Sequence, residues 1–235
     1  MAKPAEQFVC QSCGAVHGKW SGRCTACGEW NSITEEAARE APPKGLGQGK
    51  GRVLDFRKLN QHGEMEGPRT ASGLGEFDRV CGGGLVPGSA VLIGGDPGIG
   101  KSTILLQVVA RLAKQGIACA YISGEEAPAQ VRMRARRLGL EGAPLDLAAA
   151  TSVRDIVATL DGPDAPHVVV IDSIQTMYVD SIESAPGTVS QVRASAQELI
   201  RAAKRRDICL LLVGHVTKDG QIAGPSKVAT ISRTE

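Results

Sequence analysis

The sequence is poor in aromatic residues, with three Phe, two Tyr and two Trp making up 3% of its 235 residues. Its core must therefore be mainly aliphatic, and an aromatic platform for stacking bases is not expected. Lys and Arg total 27 against 25 Asp and Glu, a formal net charge of +2, which excludes a strongly basic nucleic-acid coat protein. The sequence has no run of 18 apolar residues and no apolar segment of a secretory signal near its start. We therefore expect a cytoplasmic protein without a membrane span.

The seven cysteines are an odd number and are unevenly placed, which argues against a disulfide framework. Three are scattered singly and are interpreted as plain thiols (Cys81, Cys119, Cys209). The other four form two CxxC pairs that can place four thiolates around one Zn²⁺, a closed tetrahedral shell. A redox dithiol pair is the alternative, and His17 is either a substitute ligand or, as we expect, a solvated loop histidine. The spacing favours four cysteine ligands: Cys10, Cys13, Cys24 and Cys27.

Shifts in composition divide the chain into four parts. Residues 1–34 hold the CxxC pairs and are predicted to be a zinc finger, which the bound metal would stabilise. Residues 35–67 are rich in Gly, Pro and charge and are interpreted as a linker with one apolar docking segment around Phe56. Residues 68–225 form the main domain, and residues 226–235 a short tail.

The main domain alternates aliphatic runs with helical segments. This pattern predicts an α/β fold with a mostly parallel sheet that is covered on both faces. The predicted strands are 91–93, 118–122, 145–149, 168–171 and 208–213, and the predicted helices are 102–114, 128–138, 153–160 and 189–205.

A complete GxxxxGK[ST] motif lies between the first predicted strand and the first predicted helix. This strand–loop–helix context is that of a P-loop, whose backbone N–H groups and following helix N-terminus hold phosphate oxygens. Lys101 is expected to reach the β- and γ-phosphates of ATP, and Ser102 to bind Mg²⁺. The residues of the motif are Gly95, Asp96, Pro97, Gly98, Ile99, Gly100, Lys101 and Ser102.

Polar side chains follow three other predicted strands. Asp172 ends the strand 168–171 and is expected in the magnesium shell, as in a Walker B element. Glu125 and Glu126 follow the strand 118–122, where an acid can polarise an attacking water; the alternative is that they only charge the next helix. His215 follows the strand 208–213 and either senses the γ-phosphate or is an ordinary loop histidine.

Basic residues are dense in two predicted helices. Such runs are usually solvated helix faces, and a nucleic-acid groove is the other interpretation. They are Arg132, Arg134, Arg136 and Arg137 in one helix, and Arg201, Lys204, Arg205 and Arg206 at the end of another.

Taken together, these motifs resemble the bacterial RadA (Sms) family over about residues 1–225. The resemblance is carried by FVCQSCGAVHGKWSGRCTACGEWNSITEE, SGLGEFDRVCGGGLVPGSAVLIGGDPGIGKST, ISGEE, VVVIDSIQT and VGHVTKDGQIAGP. It implies a RecA-like ATPase core behind a four-cysteine finger, with a nucleotide loop from Gly95 to Thr103 and Glu125 as the catalytic glutamate. It also implies DNA-contacting loops near 180–190 and 216–225.

The family resemblance further implies a function in recombinational DNA repair. Its members form hexameric rings on single-stranded DNA, drive branch migration or unwinding of branched DNA, and would have the recombinase RecA and a replicative helicase as partners. ATP, Mg²⁺ and Zn²⁺ are the implied cofactors. The main alternative is a RecA-like regulatory switch that binds a protein without motor activity; a small-molecule kinase is a third interpretation, which the Gly-Glu-Glu sequence disfavours.

The last ten residues, SKVATISRTE, depart from the family pattern. Family members continue with a helix, a further strand, a Lys-Asn-Arg-Phe-Gly motif and a Lon-like domain. We therefore expect one edge of the sheet to lack its usual neighbours, with a short strand from residues 227–234 able to pair there. For these 235 residues we also expect weak DNA-stimulated turnover and ill-defined oligomers.

Overall fold

A small antiparallel sheet surrounds the N-terminal cysteines. The computed structural model describes residues 6–37, 56, 69–214 and 229–231. Within the first range, three strands pair in the order β2-β1-β3. They are β1 (Glu6–Cys10), β2 (Val16–His17) and β3 (Ile33–Ala37). β3 continues past residue 34, where we expected the finger to end.

The main domain is built on a second sheet, in which every neighbouring pair of strands is parallel, as the aliphatic pattern predicted. The strand order is β6-β5-β7-β8-β4-β9. The strands are β4 (Ala90–Gly94), β5 (Cys119–Ser123), β6 (Asp146–Ala149), β7 (Val168–Asp172), β8 (Cys209–Gly214) and β9 (Ala229–Ile231).

The helices follow the strands much as the sequence predicted, with bounds that agree to within a residue. They are α1 (Gly75–Val80), α2 (Lys101–Lys114), α3 (Pro128–Arg137), α4 (Val153–Leu160) and α5 (Val189–Arg205). The short helix α1 was not predicted. None of the helices in the described ranges is both long and apolar enough to cross a bilayer.

Alternation along the strands produces one apolar layer on each face of the sheet. In β7, Val168 and Val170 pack with helix α2 on one face, whereas Val169 and Ile171 pack with α4 and α5 on the other. Successive side chains of a strand point to opposite faces, so an uninterrupted aliphatic strand must be covered on both. The sheet therefore lies between two layers of helices.

The strand β9 pairs in parallel with β4 at one edge of the sheet, with Ala229 opposite Val91. The expectation that the tail can add a short strand at this edge is therefore met. His215 and the loop 216–225 lie outside the described residues, as does the linker from residue 38 to 68 apart from Phe56.

The two-sided core makes a direct prediction about stability. Leu211 in β8 is fully buried, whereas the side chain of Met133 on α3 is 60% exposed. We expect Leu211→Ala to lower the free energy of unfolding by about 2–5 kcal/mol, because it leaves a cavity in the core. Met133→Ala is the matched control and should cost far less. Equal losses for the two variants in urea unfolding followed by circular dichroism would contradict the described packing.

Candidate nucleotide and zinc sites

The four predicted cysteine ligands converge at the base of the N-terminal sheet. Their Sγ atoms all lie within 4.8 Å of one another, with 3.7 Å between Cys10 and Cys27 and 3.7 Å between Cys13 and Cys24. Four sulfurs held tetrahedrally at about 2.3 Å from a zinc ion are about 3.8 Å apart. The cluster therefore fits Zn²⁺ with all four positions taken by thiolates, which leaves none open for catalysis.

Both CxxC turns close in the same way. The N–H of Gly14 donates to the carbonyl of Cys10, and that of Gly28 to the carbonyl of Cys24, each at 2.8 Å. Both glycines have positive φ, 75° and 78°, a conformation that other residues adopt at a cost. The two glycines thus allow each turn to close with its cysteine thiols facing the same point.

His17 does not belong to the ligand cluster, but it is close to it. Its Nε2 lies 3.3 Å from the Sγ of Cys24, so His17 neither replaces a cysteine ligand nor is a solvated loop histidine without a partner. A group in this position supports a ligand from outside the first coordination shell.

The three remaining cysteines are free thiols, as expected. Burial raises the pKa of Cys119 to about 12 and that of Cys209 to about 11. At neutral pH both are therefore protonated and unreactive.

The P-loop turns sharply between β4 and α2 and requires glycine at specific positions. Gly98 and Gly100 have φ values of 82° and 96°, and Gly100 is the N-cap residue directly before α2. Nothing lies within 4 Å of the place that a Cβ would occupy on either residue. The loop therefore forms an open cradle of backbone that a phosphate group can enter at the positive end of the helix.

Lys101 is the buried cation of this cradle, with only 6% of its surface exposed. Its Nζ donates to the carbonyls of Gly95 and Asp96, at 2.7 Å in each case. Burial lowers the pKa of Lys101, while the charges of Asp172, Asp96 and Glu125 oppose that shift. A positively charged ammonium group in this place is complementary to the negative charge of nucleotide phosphates.

The acidic residues predicted from strand ends meet at the same edge of the sheet. Asp172 ends β7 and is 5% exposed, and the N–H of Gly124, after β5, donates to its carbonyl at 2.8 Å. A Cβ on Gly124 would overlap the Oγ1 of Thr176, which explains the glycine before the two glutamates. Ser102, which opens α2, and Asp172 offer the oxygen ligands that Mg²⁺ prefers.

The two glutamates have different surroundings. Glu125 accepts a hydrogen bond from the Oγ of Ser173 at 2.5 Å and acts on Lys101 through its charge. Glu126 instead lies 3.2 Å from the guanidinium of Arg134 on α3. Glu125 is therefore the acid beside the P-loop, whereas Glu126 is held by an ion pair.

The basic residues of the two clusters differ in burial and in their partners. Arg134 is turned inward and its side chain is 14% exposed, whereas Arg132, Arg136 and Arg137 are exposed. Near the end of α5, Arg205 pairs with Asp161 at 2.8 Å. The sequence could not reveal the buried role of Arg134, because a charge count along a helix does not say which residue faces the core.

The loop before α5, where a DNA contact was expected, is tied to the buried side chain of Gln191. Its amide donates to the carbonyls of Ile182 and Ser184 at 2.9 Å and accepts from the N–H of Val179 at 3.0 Å. Sequence reasoning missed this residue. The hydrogen bonds of Gln191 thus hold the loop from its inner side and leave its outer side available for a contact with a ligand.

Two family models match the chain. A rubredoxin metal binding domain matches residues 8–35, and an AAA domain matches residues 76–221. The match to DNA repair protein RadA of Brucella abortus is 54% identical and covers 97% of this chain and 50% of that protein. The Pseudomonas aeruginosa and Bacillus subtilis proteins of the same name are 49% and 47% identical, over 96% of this chain in each case.

The fold and the P-loop place the core in the AAA-domain class of P-loop proteins. The family model of this class matches residues 76–221. The chain belongs to the RadA family of DNA repair proteins, as its motifs indicated. It spans about half the length of the curated relatives that it matches.

Removal of zinc from the predicted site should be detectable by the fluorescence of two tryptophans. Trp20 and Trp30 are the only tryptophans of the chain, and they are 59% and 66% exposed near the cysteine cluster. Removing zinc with a strong chelator should unfold this segment, because the metal supplies its folding energy. We expect one zinc per chain before chelation and a change in tryptophan fluorescence after it.

Binding of a fluorescent ADP analogue is the control for the core, and it should persist after chelation. Protein purified without chelator that contains no zinc would contradict the assignment, as would loss of nucleotide binding together with the metal.

Proposed function

We propose that this chain is the finger and motor core of a DNA-dependent ATPase that acts in recombinational DNA repair. The whole protein would process branched intermediates on single-stranded DNA, by branch migration or unwinding, as a homo-hexamer. RecA and a replicative helicase are the proposed protein partners. Membership of the RadA family supports the role in repair, and the P-loop site supports ATP as the energy source.

The convergence of Lys101, Asp172 and Glu125 at one sheet edge carries this proposal. Lys101 would offset the charge of the β- and γ-phosphates, and Ser102 and Asp172 would hold Mg²⁺. The metal, when bound, neutralises charge that develops on the transferred phosphoryl group. Glu125 would polarise the attacking water, since it lies beside Lys101 and its carboxylate is oriented by Ser173.

The loop 180–190 is the DNA contact that we propose within the described residues; its partner in this role, 216–225, lies outside them. The support for 180–190 is positional: residues 180–188 lie on the connection between the strand that ends in Asp172 and the helix α5, and residues 189 and 190 are the first two of that helix. Movement of the phosphate-contacting edge can therefore reach it through a short stretch of chain.

DNA-stimulated hydrolysis separates a motor from a regulatory switch. The ATPase rate should be measured with and without single-stranded DNA, on this chain and on a chain extended through the remaining half found in the relatives. We expect clear stimulation in the extended protein and weak stimulation in these 235 residues. An extended protein that hydrolyses ATP at the same rate with and without DNA would support the switch instead.

A Lys101→Ala variant tests the P-loop. Loss of this preorganised cation should lower the hydrolysis rate by about 100-fold or more. Lys114→Ala, at the exposed end of the same helix, is the matched control and should leave the rate near that of the parent protein. A Lys101→Ala variant with normal turnover would show that the measured activity does not come from this site.

A Glu125→Gln variant tests the water-activating acid. It should bind ATP normally but turn over at least about 100-fold more slowly, since the amide cannot act as a base. The exposed Glu141, changed to Gln, is the control for loss of one negative charge. If Glu125→Gln hydrolyses normally and Glu126→Gln does not, the catalytic role belongs to Glu126.

A further inference from the structure

A continuous line of four polar side chains runs beneath the nucleotide site, from α3 to the end of β7. Glu126 contacts Arg134 at 3.2 Å, and the Nη2 of Arg134 donates to the hydroxyl of Tyr121 at 3.1 Å. The Tyr121 hydroxyl in turn donates to the Oδ2 of Asp172. We call these four residues the Tyr121 network.

The direction of each hydrogen bond in the Tyr121 network is fixed by its chemistry. A guanidinium has donors but no acceptor, and a tyrosine hydroxyl has a single proton. Because Arg134 must donate to the hydroxyl oxygen, the proton of Tyr121 is left for Asp172. An ordinary tyrosine hydroxyl, with a pKa of about 10, keeps its proton at neutral pH.

Packing also holds the Tyr121 network in place. The Tyr121 side chain is fully buried in β5, and the guanidinium of Arg134 lies 5.8 Å from the centroid of its ring. One oxygen of Asp172 is thereby held by a donor that cannot move. The other oxygen has no bond to Tyr121, so we expect this oxygen to be the one that faces a metal.

We propose that Tyr121 and Arg134 are positioning residues that orient Asp172 for Mg²⁺. Tyr121 binds the carboxylate directly, and Arg134 acts through Tyr121 by fixing the direction of its proton. Glu126 balances the buried charge of Arg134 and so holds it in place. This proposal rests on the proposed function, because it assumes that Asp172 serves a magnesium–nucleotide complex.

The geometry also explains why the cation is an arginine. Nη1 of Arg134 faces Glu126 while Nη2 faces Tyr121, so two neighbours use two arms of one planar group. A lysine has a single ammonium and cannot occupy both places in the same way. Arg134→Lys therefore keeps the charge but should loosen the contact with Tyr121.

The test measures binding of a fluorescent ADP analogue across a Mg²⁺ titration, with EDTA for the metal-free affinity. Tyr121→Phe removes only the hydroxyl. It should raise the Mg²⁺ midpoint about tenfold, the scale seen when an outer-shell partner of a metal ligand is lost. The affinity in EDTA should not change, because the ring and the P-loop stay in place.

Arg134→Lys should shift the Mg²⁺ midpoint in the same direction, and the double variant should match Tyr121→Phe alone. This non-additivity is expected if Arg134 acts through the tyrosine. Arg132→Lys, an exposed neighbour on the same helix, is the control and should leave the midpoint unchanged. Thermal unfolding of each variant shows whether folding itself is affected.

The possible results separate the two proposals. A parent protein that shows no Mg²⁺-dependent nucleotide binding would overturn the proposed function. If the parent shows it and Tyr121→Phe has the same midpoint, the positioning role is wrong. Equal weakening with Mg²⁺ and in EDTA, together with a lower melting temperature, would also overturn it, because that result indicates a purely structural role.

Discussion

Parallel pairing of β4, β5, β7 and β8 brings the carboxyl ends of these strands to one edge, and the chemistry of the molecule depends on that arrangement. The P-loop leaves β4, the two glutamates leave β5, and Asp172 ends β7. The parallel sheet thus brings together residues that are far apart in sequence and that no single sequence motif contains. Ligands bind at this edge in open α/β sheets for the same geometric reason, and the uninterrupted aliphatic strands that build it bury both faces of the sheet.

Concentrating charge at a buried edge has an energetic cost that the site offsets locally. Lys101 is desolvated, yet it donates to two loop carbonyls and lies near three carboxylates. Asp172 is equally buried and has the Tyr121 hydroxyl as a partner. A buried charge that lacks such partners is costly. The groups that stabilise these two charges also fix where they point, so charge compensation and preorganisation are achieved by the same hydrogen bonds.

Most of the fold could be predicted because it follows from local rules. Aliphatic runs and glycine-rich turns located five strands and four helices of the main domain to within a residue, and the CxxC and P-loop spacings identified both sites, whereas helix α1 and the strands of the finger were not predicted. Charge patterns were less informative. Glu125 and Glu126 are adjacent in sequence, and although the family resemblance favoured Glu125, only the structure showed that Glu125 contacts Ser173 and Glu126 contacts Arg134. Arg134 and Gln191 gave no signal, because their roles depend on which side of a helix faces the core.

The finger and the core meet at the start of α5, where Gly14 lies close to the side chains of Val189 and Arg193. The side chain of Gln11 accepts a hydrogen bond from the N–H of Val189 at 3.4 Å, which is long for such a bond. A hydrogen bond contributes about 0.5–1.5 kcal/mol to stability, far less than the folding energy that zinc supplies to a small metal-binding segment. The finger is therefore stabilised mainly by its four thiolates and the metal, and the core by its two apolar layers. Because Val189 begins the helix whose Gln191 holds the loop before it, the finger contacts the core beside the proposed DNA-contacting loop.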